Sequence, residues 1–242
     1  MQKLNINLVK VSVSFGDFLL DIKDVSIKAG QKVAILGENG SGKTTLLNTL
    51  AGLSENEIYI NKQKIYKLTP KRRAALISYL PQFSDISFDK TVFDLVLLGR
   101  YALSDGRFAA ADLKKTQQIL DIFGIQHLRD RFFSSLSGGQ KRVVLIAKTI
   151  NQESGIVLLD EPFSGVDVKN TLKLLKILKS LNSAVIASVH DVNIAIGFFD
   201  LILLLKQGRL LYFGKSNLIS KELIDEAYGI ESRICSDRYF FY

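Results

Sequence analysis

The stretch Lys32 to Gly52, KVAILGENGSGKTTLLNTLAG, constrains the fold of this chain more than any other. It opens on a short apolar run stopped by glycine, the pattern of a strand buried on both faces. It ends on TTLLNTLAGL, which reads as a helix closed by Gly52. Between them Gly37-Glu38-Asn39-Gly40-Ser41-Gly42-Lys43-Thr44 satisfies G-x-x-x-x-G-K-[ST]. Glycines at this spacing let backbone N–H groups turn inward around phosphate oxygens, at the positive end of the helix dipole. Gly37, Asn39, Gly40, Ser41, Gly42 and Thr45 then form the phosphate cradle. Lys43 would neutralise the β- and γ-phosphates of ATP, and the Thr44 hydroxyl would ligate Mg²⁺.

The same strand grammar returns at GIVLLDE, Gly155 to Glu161, and at SAVIASVHD, Ser183 to Asp191. The first of these ends in two carboxylates. Asp160 is suited to hold Mg²⁺ through water, and Glu161 to polarise the water that attacks the γ-phosphate. Between the two strands Leu172, Leu175 and Leu178 suggest one face of a helix. LILLLKQGRLLYFG reads as a hairpin turning at Gln207-Gly208. Leu4, Ile6 and Leu8, then Val9, Val11, Val13 and Phe15, alternate as N-terminal strands do.

The chain has 242 residues, enough for one domain with a full core. Its longest apolar runs, such as Leu201 to Leu205, are far short of the ~20 residues a bilayer crossing needs. The N-terminus carries no export signal pattern. One cysteine, Cys235, excludes an internal disulfide and fits a reducing cytosol. Lys and Arg number 32 against 24 Asp and Glu, a net charge of +8, but the basic residues are scattered. Such a balance suits nucleotide phosphates, an anionic membrane face or nucleic acid alike.

Residues 83–152 differ from their flanks: VFDLVLLGRY, ADLKKTQQILDIF and the run after Gly139 have helical spacing and little strand signal. Buried strands alternating with helices imply an α/β fold with a mostly parallel sheet and an antiparallel β region at the N-terminus. The division expected is a core of residues 1–82 and 153–214, an inserted helical subdomain at 83–152, and a short C-terminal tail at 215–242.

A second glycine turn, SSLSGGQKR at Ser134 to Arg142, sets off a resemblance that no single motif carries. The first loop is followed by YLPQ with Gln82, LSGGQ at Leu136 to Gln140, LLDEP at Leu158 to Pro162, SGVD at Ser164 to Asp167, and SVHD with His190. This ordered set resembles the ATP-binding subunit of ABC transporters from about Leu4 to Gly214. The resemblance implies a P-loop NTPase, RecA-like core, ATP hydrolysis and a homodimer. In that family the signature loop binds the γ-phosphate held by the other copy. It implies that Ser137, Gly138, Gly139 and Gln140 act in trans, and that Asp167 bridges the two copies. Gln82 would lie near Mg²⁺ and the attacking water, and His190 would contact the γ-phosphate beside Glu161. Phe15, in VSFGD, stands where the family stacks an aromatic on adenine, although its strand alternation fits core packing equally. His127 matches no motif and reads as a surface residue. One departure is that Val143 follows Lys141-Arg142 where many relatives have arginine, from which altered packing or rate is expected, not loss of function.

The resemblance also implies separate permease subunits, an extracytoplasmic substrate-binding protein and a peripheral site on the cytoplasmic face of the membrane, with no nucleic acid partner. KTVFDLVLLGRYAL, Lys90 to Leu103, and LIDEAYGIESRI resemble importers of iron chelates, haem and cobalamin. Arg100 and Tyr101 would then lie at a docking face or pack as ordinary helix residues. LDEPFSGVD and FDLILLL fit zinc and manganese importers as well. A soluble ABC ATPase acting on DNA or the ribosome would suit the charge, but lacks here its usual second ATPase domain or long coiled coil. An exporter ATPase is disfavoured by the GR-Y stretch.

Overall fold

The computed structural model describes residues 4–82, 89–104, 107–235 and 238–241. In chain order they form β1 (Ile6–Phe15), β2 (Phe18–Ile27), β3 (Lys32–Leu36), α1 (Lys43–Leu50), β4 (Glu57–Ile60), β5 (Gln63–Lys64), α2 (Pro70–Leu76) and β6 (Ile77–Leu80). Three helices follow without an intervening strand: α3 (Val92–Leu97), α4 (Ala110–Phe123) and α5 (Gly138–Asn151). Strands and helices then alternate through β7 (Ile156–Leu159), α6 (Val168–Ser180), β8 (Ala184–Ser188), α7 (Val192–Phe198) and β9 (Leu201–Lys206). The chain ends with β10 (Arg209–Lys215), α8 (Lys221–Tyr228), β11 (Ser232–Cys235) and β12 (Arg238–Phe241).

One sheet of ten strands runs β5-β4-β1-β2-β10-β9-β3-β8-β7-β6. The strands from β9 to β6 are parallel neighbours, whereas β1, β2, β4 and β5 pair antiparallel, as do β9 and β10. The parallel half holds because both its faces are covered. Val33 and Ile35 of β3 pack into one core cluster, Ala34 and Leu36 into the other. β7 divides the same way, with Ile156 and Leu158 on one side and Val157 and Leu159 on the other. Strands in such a position must be apolar at every residue, which is why their sequences read as runs.

The face of Ala34, Leu36, Val157 and Leu159 packs with α3, α4 and α5, through Val92, Leu120 and Val144 among others, into a single cluster. The opposite face covers α1 and the antiparallel strands. The N-terminal alternation resolves into one strand, not two. Leu8 and Val11 are buried while Val9 between them is 48% exposed, and the pairing of β1 with β4 slips between Leu8 and Lys10. That irregularity absorbs the change of phase after Leu8. In α6 the buried face is Thr171, Leu174, Leu175 and Leu178, while Leu172 is 45% exposed. The expected Leu172 face is therefore corrected. Positions 171, 174, 175 and 178 follow the i, i+3, i+4, i+7 stripe, from which 172 lies about 100° away. The C-terminal segment packs on the core: Ile224, Ala227 and Tyr239 are buried in the main cluster, and Asn193 of α7 exchanges two hydrogen bonds with the Tyr239 backbone.

The β9–β10 turn is at Gln207 and Gly208, both with positive φ, as a two-residue hairpin requires. Gly208 is wedged against β2. A Cβ there would sit 1.9 Å from the Leu19 carbonyl oxygen, and its own N–H donates to Ser41 O at 3.0 Å. Gly208→Ala should therefore lower stability by about 2–4 kcal/mol, read as a reduced midpoint in urea unfolding.

Candidate active site

The carboxyl ends of four adjacent parallel strands meet at one edge of the sheet. β3 delivers the glycine loop, β6 Gln82, β7 Asp160 and Glu161, and β8 Ser188 and His190. This is where parallel α/β sheets leave a crevice. Here it is a cleft of about 620 Å³ lined by Phe18, Asn39, Gly40, Gly42, Lys43, Thr44, Thr45, Gln82, Glu161 and His190.

The loop at the cleft floor is built for an anion. The N-cap of α1 is Gly42, which has no side chain to cap the helix, so the first amides are left for a ligand. Gly37 has φ +140°, and a Cβ on it would strike Leu205 O at 2.3 Å and Ser41 Oγ at 2.7 Å. Ser41 Oγ is buried with no partner among the described residues. Lys43 folds back over the loop, its Nζ donating to Gly37 O at 2.7 Å and Glu38 O at 2.8 Å. Burial lowers its pKa, opposed by Glu161, Asp160 and Glu38.

Asp160 is wholly buried and well satisfied. Its carboxylate accepts from Thr44 Oγ1 at 2.7 Å and from Ser188 Oγ at 2.6 Å. The same Ser188 Oγ accepts from the Glu161 N–H at 2.7 Å. Glu161 sits in the left-handed region at φ 47°, and its Oε1 lies 2.8 Å from His190 Nε2. Strain of this kind in a non-glycine residue persists only where its surroundings over-determine it. The Thr44 hydroxyl, the Asp160 carboxylate and the Gln82 amide carbonyl can each offer an oxygen, the hard donor that suits Mg²⁺ completed by phosphate oxygens and water. Among the described residues no three His, Cys, Asp or Glu side chains gather to cage a metal by themselves.

The signature residues lie elsewhere. Ser137 caps α5 in a reciprocal box: its Oγ accepts from Gln140 N at 3.4 Å, and Gln140 Oε1 accepts from Ser137 N at 3.1 Å. Ser137 and Gly138 are exposed, and none of residues 137–140 lines the cleft. Asp167 is exposed and caps α6, accepting from Asn170 N at 2.9 Å, a bond that holds its carboxyl below the usual range. The Phe15 side chain lies outside the described residues; Phe18, its cross-strand partner at the β1–β2 turn, does line the cleft. His127 is exposed, and Val143 is buried in the main core.

Two residues here escaped the sequence reading. Ser188 opens SVHD, a stretch in which the sequence assigns a role to His190 alone. Arg142 had drawn notice only as the neighbour of Val143, yet its guanidinium donates to Pro81 O and Gln82 O at 3.2 Å each, to Glu161 O at 3.0 Å, and to Asp160 O. One buried side chain of α5 thus grips the ends of β6 and β7. An arginine that follows a glycine turn on an amphipathic helix, on the buried side, was the available signal. Arg142→Met should cost about 2–4 kcal/mol in thermal or chemical unfolding, because several buried carbonyls lose their donor.

Comparison with known proteins agrees with this geometry. Residues 20–164 match the family model described as ABC transporter. The petrobactin import ATP-binding protein of Bacillus subtilis (strain 168) is 33% identical over 223 residues, covering 89% of this chain and 88% of its own. A transporter assigned to the metal-chelate type, solved in an inward-facing conformation, superposes with a TM-score of 0.79 at 28% identity, covering 100% of this chain and 96% of that one. An ATP-binding cassette solved as a dimer in a post-hydrolysis state with ADP and Pi gives 0.73 at 27% identity, over 88% of this chain and 98% of that one. This chain belongs to the ABC transporter family, as one of its ATP-binding, ATP-hydrolysing subunits.

Proposed function

We propose that this chain powers import of a metal chelate, with iron-siderophore complexes the leading class, as a homodimer beneath separate permease subunits. The single observation behind the dimer is the split between cleft and signature: Ser137 and Gly138 are exposed, and none of residues 137–140 lines its own chain's cleft. Two copies related by a two-fold axis would place each signature on the other's nucleotide, an isologous arrangement. The dimeric cassette with ADP and Pi supports that reading, and the petrobactin and metal-chelate relatives support the cargo class. No helix among the described residues is long and apolar enough to cross a membrane, so the pore would come from other chains fed by an extracytoplasmic binding protein. The ATPase would then sit against the cytoplasmic face.

In this proposal the amides from Gly40 to Thr45 hold the phosphates, and Lys43 leaves its two loop carbonyls to pair with the β- and γ-oxygens. Thr44, Asp160 through water and Gln82 would hold Mg²⁺, which would supply charge neutralisation at those oxygens. Glu161 takes the proton of the attacking water as its oxygen bonds to the γ-phosphorus and the bond to ADP breaks. His190, beside Glu161, orients that water. Ser137 exchanges part of its capping bond for the partner's γ-phosphate, with the α5 dipole behind it. Phe18, which lines the cleft, is an aromatic available to the adenine, beside the Phe15 that the sequence pattern offers. Loss of the γ-phosphate removes the trans contact and reopens the dimer.

Glu161→Gln should slow hydrolysis at least about 100-fold and leave an ATP-bound dimer in size-exclusion chromatography with Mg²⁺ present. A monomeric mutant of full activity would refute the assigned base. Ser137→Arg should keep ATP affinity within about twofold yet abolish that dimer in the Glu161→Gln background; persistence of the dimer rejects the trans role. Transport of candidate ferric chelates in reconstituted vesicles tests the cargo.

A further inference from the structure

We infer that Tyr228, at the end of α8, is a positioning residue for the phosphate loop, so that the C-terminal segment tunes nucleotide affinity. The inference rests on the reading of Gly37 to Thr45 as the ATP cradle. The Tyr228 hydroxyl accepts from the Gly37 N–H at 3.3 Å, across 191 residues of sequence. Gly37 is where the loop leaves β3, and each of its polar groups is spoken for. Its carbonyl accepts from Lys43 and its N–H donates to Tyr228, while its α-carbon is pressed against Leu205 of β9.

The helix that carries the tyrosine is itself fastened. Ile224 and Ala227 are buried, and Lys206 Nζ donates to the Glu226 carbonyl at 2.6 Å. Asp225 accepts from Ser232 N at 2.9 Å, which ties α8 to the terminal hairpin. The Tyr228 ring is therefore delivered to the loop from a braced element that does not line the cleft. None of the residues lining the cleft is Tyr228, so the hydroxyl acts on the nucleotide through the shape of the loop. An anion nest binds best when its amides are already aimed, since ordering them on binding costs affinity.

Tyr228→Phe keeps the ring and removes the one acceptor. A fluorescent ATP analogue and its ADP counterpart, titrated into the wild type and Y228F, give the test. Both dissociation constants should rise by the same factor, about 3–10-fold, because the β-phosphate common to both lies in the cradle. KM for ATP should rise in step while kcat stays within twofold, a split that general loss of structure would not produce. Unchanged affinities, or a fall in kcat alone, would overturn the proposal. Should Y228F unfold too readily to titrate, hydrogen exchange of the wild type decides: slow exchange at the Gly37 amide supports the brace, and exchange at the rate of an open loop rejects it. A wild-type chain that binds neither nucleotide would remove the nucleotide reading and this inference together, whereas unchanged binding in Y228F removes only the tyrosine's part.

Discussion

A buried carboxylate organises this molecule. Asp160 has no exposed surface, and an unpaired charge in such a place would cost several kcal/mol. Its oxygens are met by hydroxyls from α1 and β8, and its own carbonyl by the Arg142 guanidinium from α5. Each of those groups reaches it from a different element. The interaction therefore fixes the mutual position of the phosphate loop, two central strands and the helix that begins at the signature. The two apolar clusters on either side of the sheet supply most of the stability, but apolar packing has no direction. The directional bonds to Asp160 set where the reactive groups stand.

Arg142 extends this arrangement from one side of the cleft to the other. The ends of β6 and β7 share its donors, so Gln82, Asp160 and Glu161 move with α5 or break those bonds. The start of α5 also touches the loop of residues 164–167, where Gly139 approaches the Gly165 carbonyl closely. The helix that begins at the signature, exposed at Ser137, is in this way tied, at its buried side, to the residues around its own chain's phosphate cleft.

The sequence announced whatever depends on local pattern. The glycine loop, the apolar strands and the Gln207-Gly208 turn are each dictated by a few neighbouring residues, and the structure places them as expected. The reading weakened where tertiary contact decides. The phase change after Leu8 has no local signature beyond a broken alternation. Leu172 has the composition of a core residue but the wrong angle on α6. Arg142 and Ser188 gain their importance from carbonyls and carboxylates tens of residues away, and Tyr228 from a glycine 191 positions earlier. LIDEAYGIESRI could be matched to relatives by eye, yet nothing within it names the loop it touches.

Glu161 illustrates a conflict that selection on such a chain must live with. Its backbone occupies a conformation that glycine would adopt freely, so exchanging it for glycine would relieve local strain. That exchange would also delete the carboxylate poised beside His190 Nε2. A screen for hardier variants would consequently be drawn to the very position where robustness and turnover are opposed.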